Sequence, residues 1–204
     1  MAKTILFDFG GVLGSEAHDW GGALLPVTDA TGLSTGEMEG LWSEFWPALS
    51  VGAVEMAAFW ETVYRVAPSE PEPGTLELLF ERASTVDPDV IAVAEDLKRH
   101  GFRLAILANE SQAGMDAKIK RHRLADLFER VYCSASVGVA KPDEAIFRFV
   151  LHDLAVPPDE VIAIDDRSEN IAAAMAVGMH AIRYQNPAEL RADLERTLAV
   201  PLHR

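Results

Sequence analysis

The sequence predicts an α/β fold: a doubly wound parallel (Rossmann-like) sheet core with a small inserted α-helical cap. Three observations predict it. First, four apolar, strand-like runs lead to polar residues: Ile5–Phe7 to Asp8, Phe102–Ala108 to Asn109, Arg130–Ser134 to the loop holding Lys141, and Val161–Ile164 to Asp165 and Asp166. Continuous apolar runs mark parallel strands buried on both faces. Second, helical patterns separate these runs, which is the alternation that builds a doubly wound sheet. Third, composition shifts between Gly14 and Asp87. That segment holds thirteen acidic and two basic residues, a net of −11 against −3 for the rest, and all four tryptophans (Trp20, Trp42, Trp46, Trp60). The core is therefore placed at 1–13 and 88–204 and the cap at 14–87.

Along the chain, residues 4–8 form the first strand. In the cap, Ser34 or Thr35 can cap a helix whose apolar residues Met38, Leu41, Trp42, Phe45 and Trp46 follow at helical spacing. Pro47 should kink or end it. A second cap helix is expected over 53–66 and a third over 75–84, separated by the proline-rich acidic loop 67–74. Asp87 and Pro88 read as cap and first position of the next helix, which ends near His100-Gly101. Further helices are expected over 113–122, 143–154, 169–177 and 187–199, and a last strand over 180–184.

Bulk properties narrow the function. A chain of 204 residues buries a sizeable core. The net charge of −14 argues against nucleic acid and anionic membrane as partners. No apolar run is long enough to span a membrane, no secretory leader is read at the start, and the single cysteine, Cys133, suits a reducing compartment, so a cytoplasmic location is expected. Cys133 sits in an apolar strand and reads as core filler. The six histidines form no ligand spacing, and Lys118, Lys120, Arg121 and Arg123 read as a solvated face at a helix end.

The strand ends carry the chemistry. Open α/β sheets bind ligands at the carboxyl ends of their strands, and these ends collect Asp8, Asn109, Lys141, Asp165 and Asp166. Adjacent acids repel one another unless a cation lies among them. Hard oxygens suit Mg²⁺, the metal offsets phosphoryl charge, and one carboxylate can act as nucleophile. Gly10 and Gly11 let backbone groups approach whatever Asp8 touches.

These four blocks, in this order, resemble the four motifs of the haloacid dehalogenase superfamily, in its small helical-cap phosphatase branch. The resemblance implies a Mg²⁺-dependent phosphatase acting on a small phosphorylated metabolite, such as a sugar phosphate, through an aspartyl-phosphate on Asp8. It implies Asp8, Gly10 (through its carbonyl), Asp165 and Asp166 at the metal, with Asp166 the primary ligand. It implies Asn109, Glu110 and Lys141 at the phosphoryl group, the amides after Asn109 assisting, and Pro142 opening a helix. Two positions depart from the family pattern. Gly10 stands where an acid–base carboxylate is usual, and Ala108 where a hydroxyl is usual, each removing a polar group from the site. Arg167 is expected to be an exposed ion-pairing residue and Asn170 a local orienting residue; the tryptophans are expected to fill the cap core, with Trp20 and Trp46 the candidates for touching substrate. A non-catalytic binding module and a 2-haloacid dehalogenase are the alternative classes.

Overall fold

The computed structural model of the chain describes residues 3–14, 22 and 24–202. His18, Trp20 and His203 lie outside the described residues. Five strands form one parallel sheet: β1 (Thr4–Phe7), β2 (Arg103–Ala108), β3 (Arg130–Cys133), β4 (Val161–Asp165) and β5 (His180–Arg183). Their spatial order is β3-β2-β1-β4-β5. Connections run outward from β1 to both sides, so the sheet's switch point lies between β1 and β4, where such sheets open a crevice. Phe7 pairs with Ile106 on one side and Ile164 on the other, which sets Asp8 beside Asp165.

Side chains alternate across β1. Ile5 and Phe7 enter one apolar layer with Val93 and Leu97 of α5 (Pro88–Arg99) and Leu190 and Leu194 of α10 (Pro187–Leu198). Leu6 enters the opposite layer with Ile146 and Val150 of α8 (Glu144–Leu154) and Ala174 of α9 (Ser168–Ala176). Helix α6 (Gln112–His122) adds Met115 to the first layer. Burial on both faces explains why these strands carry no polar alternation. Asp87 caps α5, accepting from the Asp89 and Val90 amides, with Pro88 in the first turn.

Four helices stand apart from the sheet: α1 (Leu25–Thr31), α2 (Thr35–Leu49), α3 (Met56–Val66) and α4 (Thr75–Ala83). Their core is a separate cluster containing Val27, Met38, Trp42, Phe59, Trp60, Val63 and Leu76. Aromatic rings dominate it: Phe59 meets Trp42 at 5.2 Å and Trp60 at 4.9 Å, both edge-on. Ser34 and Glu37 form a reciprocal capping box at the start of α2. Pro47 lies in the last turn of α2, which ends two residues later at Leu49.

The sequence reading missed two elements. Helix α1, with Pro26 in its first turn, is short and lacks a side-chain cap. The run 130–134 splits into β3 and a single helical turn, α7 (Ser134–Val137). One expectation is corrected: Pro142 does not open α8. Asp143 caps that helix by accepting from the Ala145 amide, and the first helical residue is Glu144. Among the described residues no helix is long and apolar enough to cross a membrane.

Candidate active site

The chain leaves β1 at Phe7, and Asp8 is held at once: its N–H donates to Ile164 O at 2.9 Å, while the Phe9 N–H donates to Asp8 Oδ1 at 2.6 Å. Lys141 Nζ lies 2.9 Å from Asp8 Oδ1 and 2.6 Å from Asp165 Oδ2. All three side chains are buried. Burial opposes the Lys141 ammonium, but the two carboxylates outweigh it and hold its pKa above the ordinary lysine value. For Asp8, burial dominates; helped by the nearby Asp165 charge and only partly opposed by Lys141, it pushes the carboxyl up to about 7.

Asp165 is fully engaged. Its Oδ2 takes the Lys141 ammonium, and its Oδ1 accepts from the Arg167 N–H at 3.0 Å and from Asn170 Nδ2 at 2.8 Å. Asn170 thus orients Asp165, as expected. Asp166 brings a third carboxylate, and one oxygen each from Asp8, Asp165 and Asp166 lie within 4.8 Å of one another. Three carboxylates against one ammonium leave this cluster short of positive charge. The donor set is all oxygen, which fits a hard divalent cation such as Mg²⁺.

Asn109 does not cap a helix. Its Nδ2 donates to Lys141 O and its Oδ1 accepts from the Lys141 N–H, both at 2.8 Å. This pair of bonds pins the backbone that presents the Lys141 ammonium. The helix cap after β2 is Ser111, whose hydroxyl accepts from the Gly114 N–H at 3.1 Å. The amides after Asn109 are not available to a phosphoryl group, contrary to the sequence reading. The Glu110 N–H donates to Ser134 Oγ at 3.0 Å and the Ser111 N–H to Glu110 Oε1 at 2.9 Å. Cys133 is a buried donor to Glu110 O, with its thiol pushed up to about 11 by burial.

Asp8, Asn109, Glu110, Lys141 and Asn170 line a cavity of about 80 Å³ together with Phe9, Gly10, Trp46, Ala108, Pro142 and Glu169. Among the described residues, Trp46 is the contribution of the helical insertion, stacked at 5.1 Å on Trp42. Arg167 is exposed at the rim. The sequence reading missed Lys118. It is no part of a solvated face: it is buried, ion-paired with the buried Glu110, and lines the same cavity. Its signal was periodic, since Ser111, Met115 and Lys118 are all buried and share one stripe of α6.

A parallel sheet with its acids, lysine and amide gathered at the switch point defines a hydrolase of the α/β class with a helical insertion. The family model for haloacid dehalogenase-like hydrolases matches residues 2–178, and the chain belongs to that family. It is 25% identical over 209 residues to drimenol cyclase drtB of Aspergillus calidoustus, covering 100% of this chain and 38% of that protein. It is 28% identical over 182 residues to sesquiterpene phosphatase astK of Aspergillus oryzae, covering 87% of each. Among solved structures, the HAD family enzyme bt-2542 of Bacteroides thetaiotaomicron superposes with a TM-score of 0.77 at 19% identity, over 90% of this chain and 94% of that one. That enzyme has also been crystallised with magnesium and inorganic phosphate. The chain spans only 38%, 20% and 24% of the length of the first curated relatives it matches.

Proposed function

We propose that the protein is a Mg²⁺-dependent phosphatase of a small phosphorylated metabolite, such as a sugar phosphate. The observation that carries this reading is Lys141 bridging Asp8 and Asp165 beside Asp166. It joins a nucleophile, a fixed cation and an oxygen-only metal set in one buried place. The magnesium and phosphate bound by the bt-2542 enzyme, and the phosphatase name of astK, support it.

Asp8 and Asp166, with the Gly10 carbonyl and with Asp165 behind them, would hold Mg²⁺, which when bound offsets the charge on the phosphoryl oxygens. The free oxygen of the Asp8 carboxylate attacks phosphorus, forming an Asp8–phosphoryl bond as the bond to the leaving oxygen breaks. Water then attacks phosphorus and releases inorganic phosphate, regenerating Asp8. Lys141 keeps Asp8 aimed, favours its ionised form against burial and balances charge on the transferred group. Asn109 acts through Lys141, as a positioning residue. The segment 14–87 is the cap, and Trp46 is its wall over the site.

The test is phosphate release from 4-nitrophenyl phosphate and a panel of sugar phosphates, with Mg²⁺ and with chelator. Asp8→Asn should lower turnover on the order of 10⁴–10⁶-fold, since the amide is nearly isosteric but is no nucleophile. Full activity in that variant removes Asp8 from the mechanism and the phosphatase reading with it.

A further inference from the structure

The cavity has a second cationic pole. Lys118 enters it from α6, with its ammonium on the Glu110 carboxylate and 4.9 Å from the centre of the Phe9 ring. The pair is 7% and 1% exposed. Glu110 is held from behind: its Oε1 accepts from the Ser111 N–H at 2.9 Å and from Ser111 Oγ at 3.2 Å. Residue 114 has to be glycine for that carboxylate to fit, because a Cβ there would lie 2.6 Å from Glu110 Oε1. A buried ion pair is a poor way to gain stability, since an apolar pair of similar size does as well. Here the pair faces the reaction cavity.

We propose that Lys118, braced by Glu110, is the leaving-group residue of this site, and that the substrates are phosphate esters of uncharged alcohols. The proposal rests on the phosphatase reading above. In-line transfer places the attacking and leaving oxygens on opposite sides of phosphorus. Lys141 touches Asp8, so it belongs to the attacking side. The leaving oxygen points away from it, and Lys118, Phe9 and Trp46 also wall the cavity. Among the described residues, Gly10 has no side chain, the Asn109 amide is bonded to the Lys141 backbone, the Asn170 amide to Asp165, and Arg167 is exposed at the rim. As the P–O bond breaks, its electron pair stays on the leaving oxygen. The Lys118 ammonium donates the hydrogen bond that stabilises this charge and passes the proton to the alcoholate, and solvent reprotonates the amine. Because Lys118 and Glu110 cancel in charge, the pole serves a neutral alcohol and offers no net attraction to a second anion.

The experiment compares wild type with Lys118→Met/Glu110→Gln, which removes both charges and strands neither. Mg²⁺-supported kcat/KM is measured on aryl phosphates of graded leaving-group pKa and on ethyl phosphate. The double variant should lose roughly 10²-fold on ethyl phosphate, the worth of one such donor, and less than about tenfold on 4-nitrophenyl phosphate. Its rates should therefore fall more steeply with leaving-group pKa. Lys118→Gln, which can still donate to Glu110, should steepen the same slope, while Lys118→Arg, which keeps the charge, should restore a shallow one. An equal loss on every ester, or an unchanged slope, gives Lys118 a structural role and overturns the proposal while leaving the phosphatase reading intact. Wild-type protein that hydrolyses none of these esters above the Asp8→Asn background overturns both.

Discussion

The sheet end and the helical insertion solve opposite problems. At the sheet end, four charged side chains sit close together in a site that is largely buried, and backbone register holds them: Asp8 and Asp165 lie at neighbouring positions of paired strands. In the insertion, helices hold one another through aromatic rings, and among the described residues Trp46 is the one that reaches the cavity. The first region places charge by strand register and hydrogen bonds. The second supplies a wall. On the phosphatase reading, the nucleophile and its cation sit where hydrogen-bonded strands fix geometry, and the insertion lends the cavity a wall.

Three changes test this contrast, from the largest effect to the smallest. Lys141→Met strands two buried carboxylates. It should cost about 3–5 kcal/mol of stability by chemical denaturation and lower turnover roughly 10³-fold. A stable, active variant would show that the carboxylates need no fixed cation. Phe59→Ala hollows the insertion's core, where Phe59 is fully buried. The cost is about 3–5 kcal/mol, confined to α1–α4: amide exchange should quicken there and stay slow in β1 and β4, and KM should rise more than kcat falls. Equal loosening of both regions would mean that they fold as one unit.

The smallest effect is a pH dependence, and it belongs to the sheet end. In metal-free protein the Asp8 carboxyl is raised to about 7 from 3.8. Between those values the folded state binds the proton that the unfolded state has lost, so stability contributed by Asp8 falls as pH rises through this window. Asp8→Asn lacks this loss. Its melting temperature should therefore gain on that of wild type from pH 5 to pH 8, and Mg²⁺ should close the gap. Below pH 7 the proton competes with the metal, and apparent Mg²⁺ affinity should weaken by about tenfold per pH unit. Affinity that is flat in pH would place Asp8 outside the metal set.

The contrast also explains what could be read from the chain. The strand ends were legible because each apolar run is local and stops at the residue that does the work: Phe7 before Asp8, Ile164 before Asp165. Asn109 was found, but its partner was not, because the bonds from its side chain to the Lys141 backbone span a loop that no periodicity encodes. Lys118 was grouped with Lys120, Arg121 and Arg123 by proximity in sequence. Its face of α6, shared with Met115, and its pairing with Glu110 two turns back set it apart. Helix α1 stayed hidden because Pro26 and a missing cap leave little local signal. In α7, four residues are too few to show a helical period.

The crossing between the two regions has a kinetic consequence. Gly14 pairs with Val86, and the Asp87 N–H donates to Leu13 O at 2.8 Å, so the chain enters and leaves the insertion through one narrow neck. A side chain at residue 14 would strike Thr85 O at 2.2 Å. Strands β1 and β2 are far apart in sequence, yet Thr4 pairs with Arg103. An unstructured chain would have to close that whole loop before the central pairing formed, and such distant contacts form slowly. Once the insertion's own helices have packed and the neck has closed, only the short stretches from Thr4 to Gly14 and from Val86 to Arg103 separate the two strands. Once the insertion has packed, the neck thus turns a distant pairing into a nearly local one and brings β2 to β1.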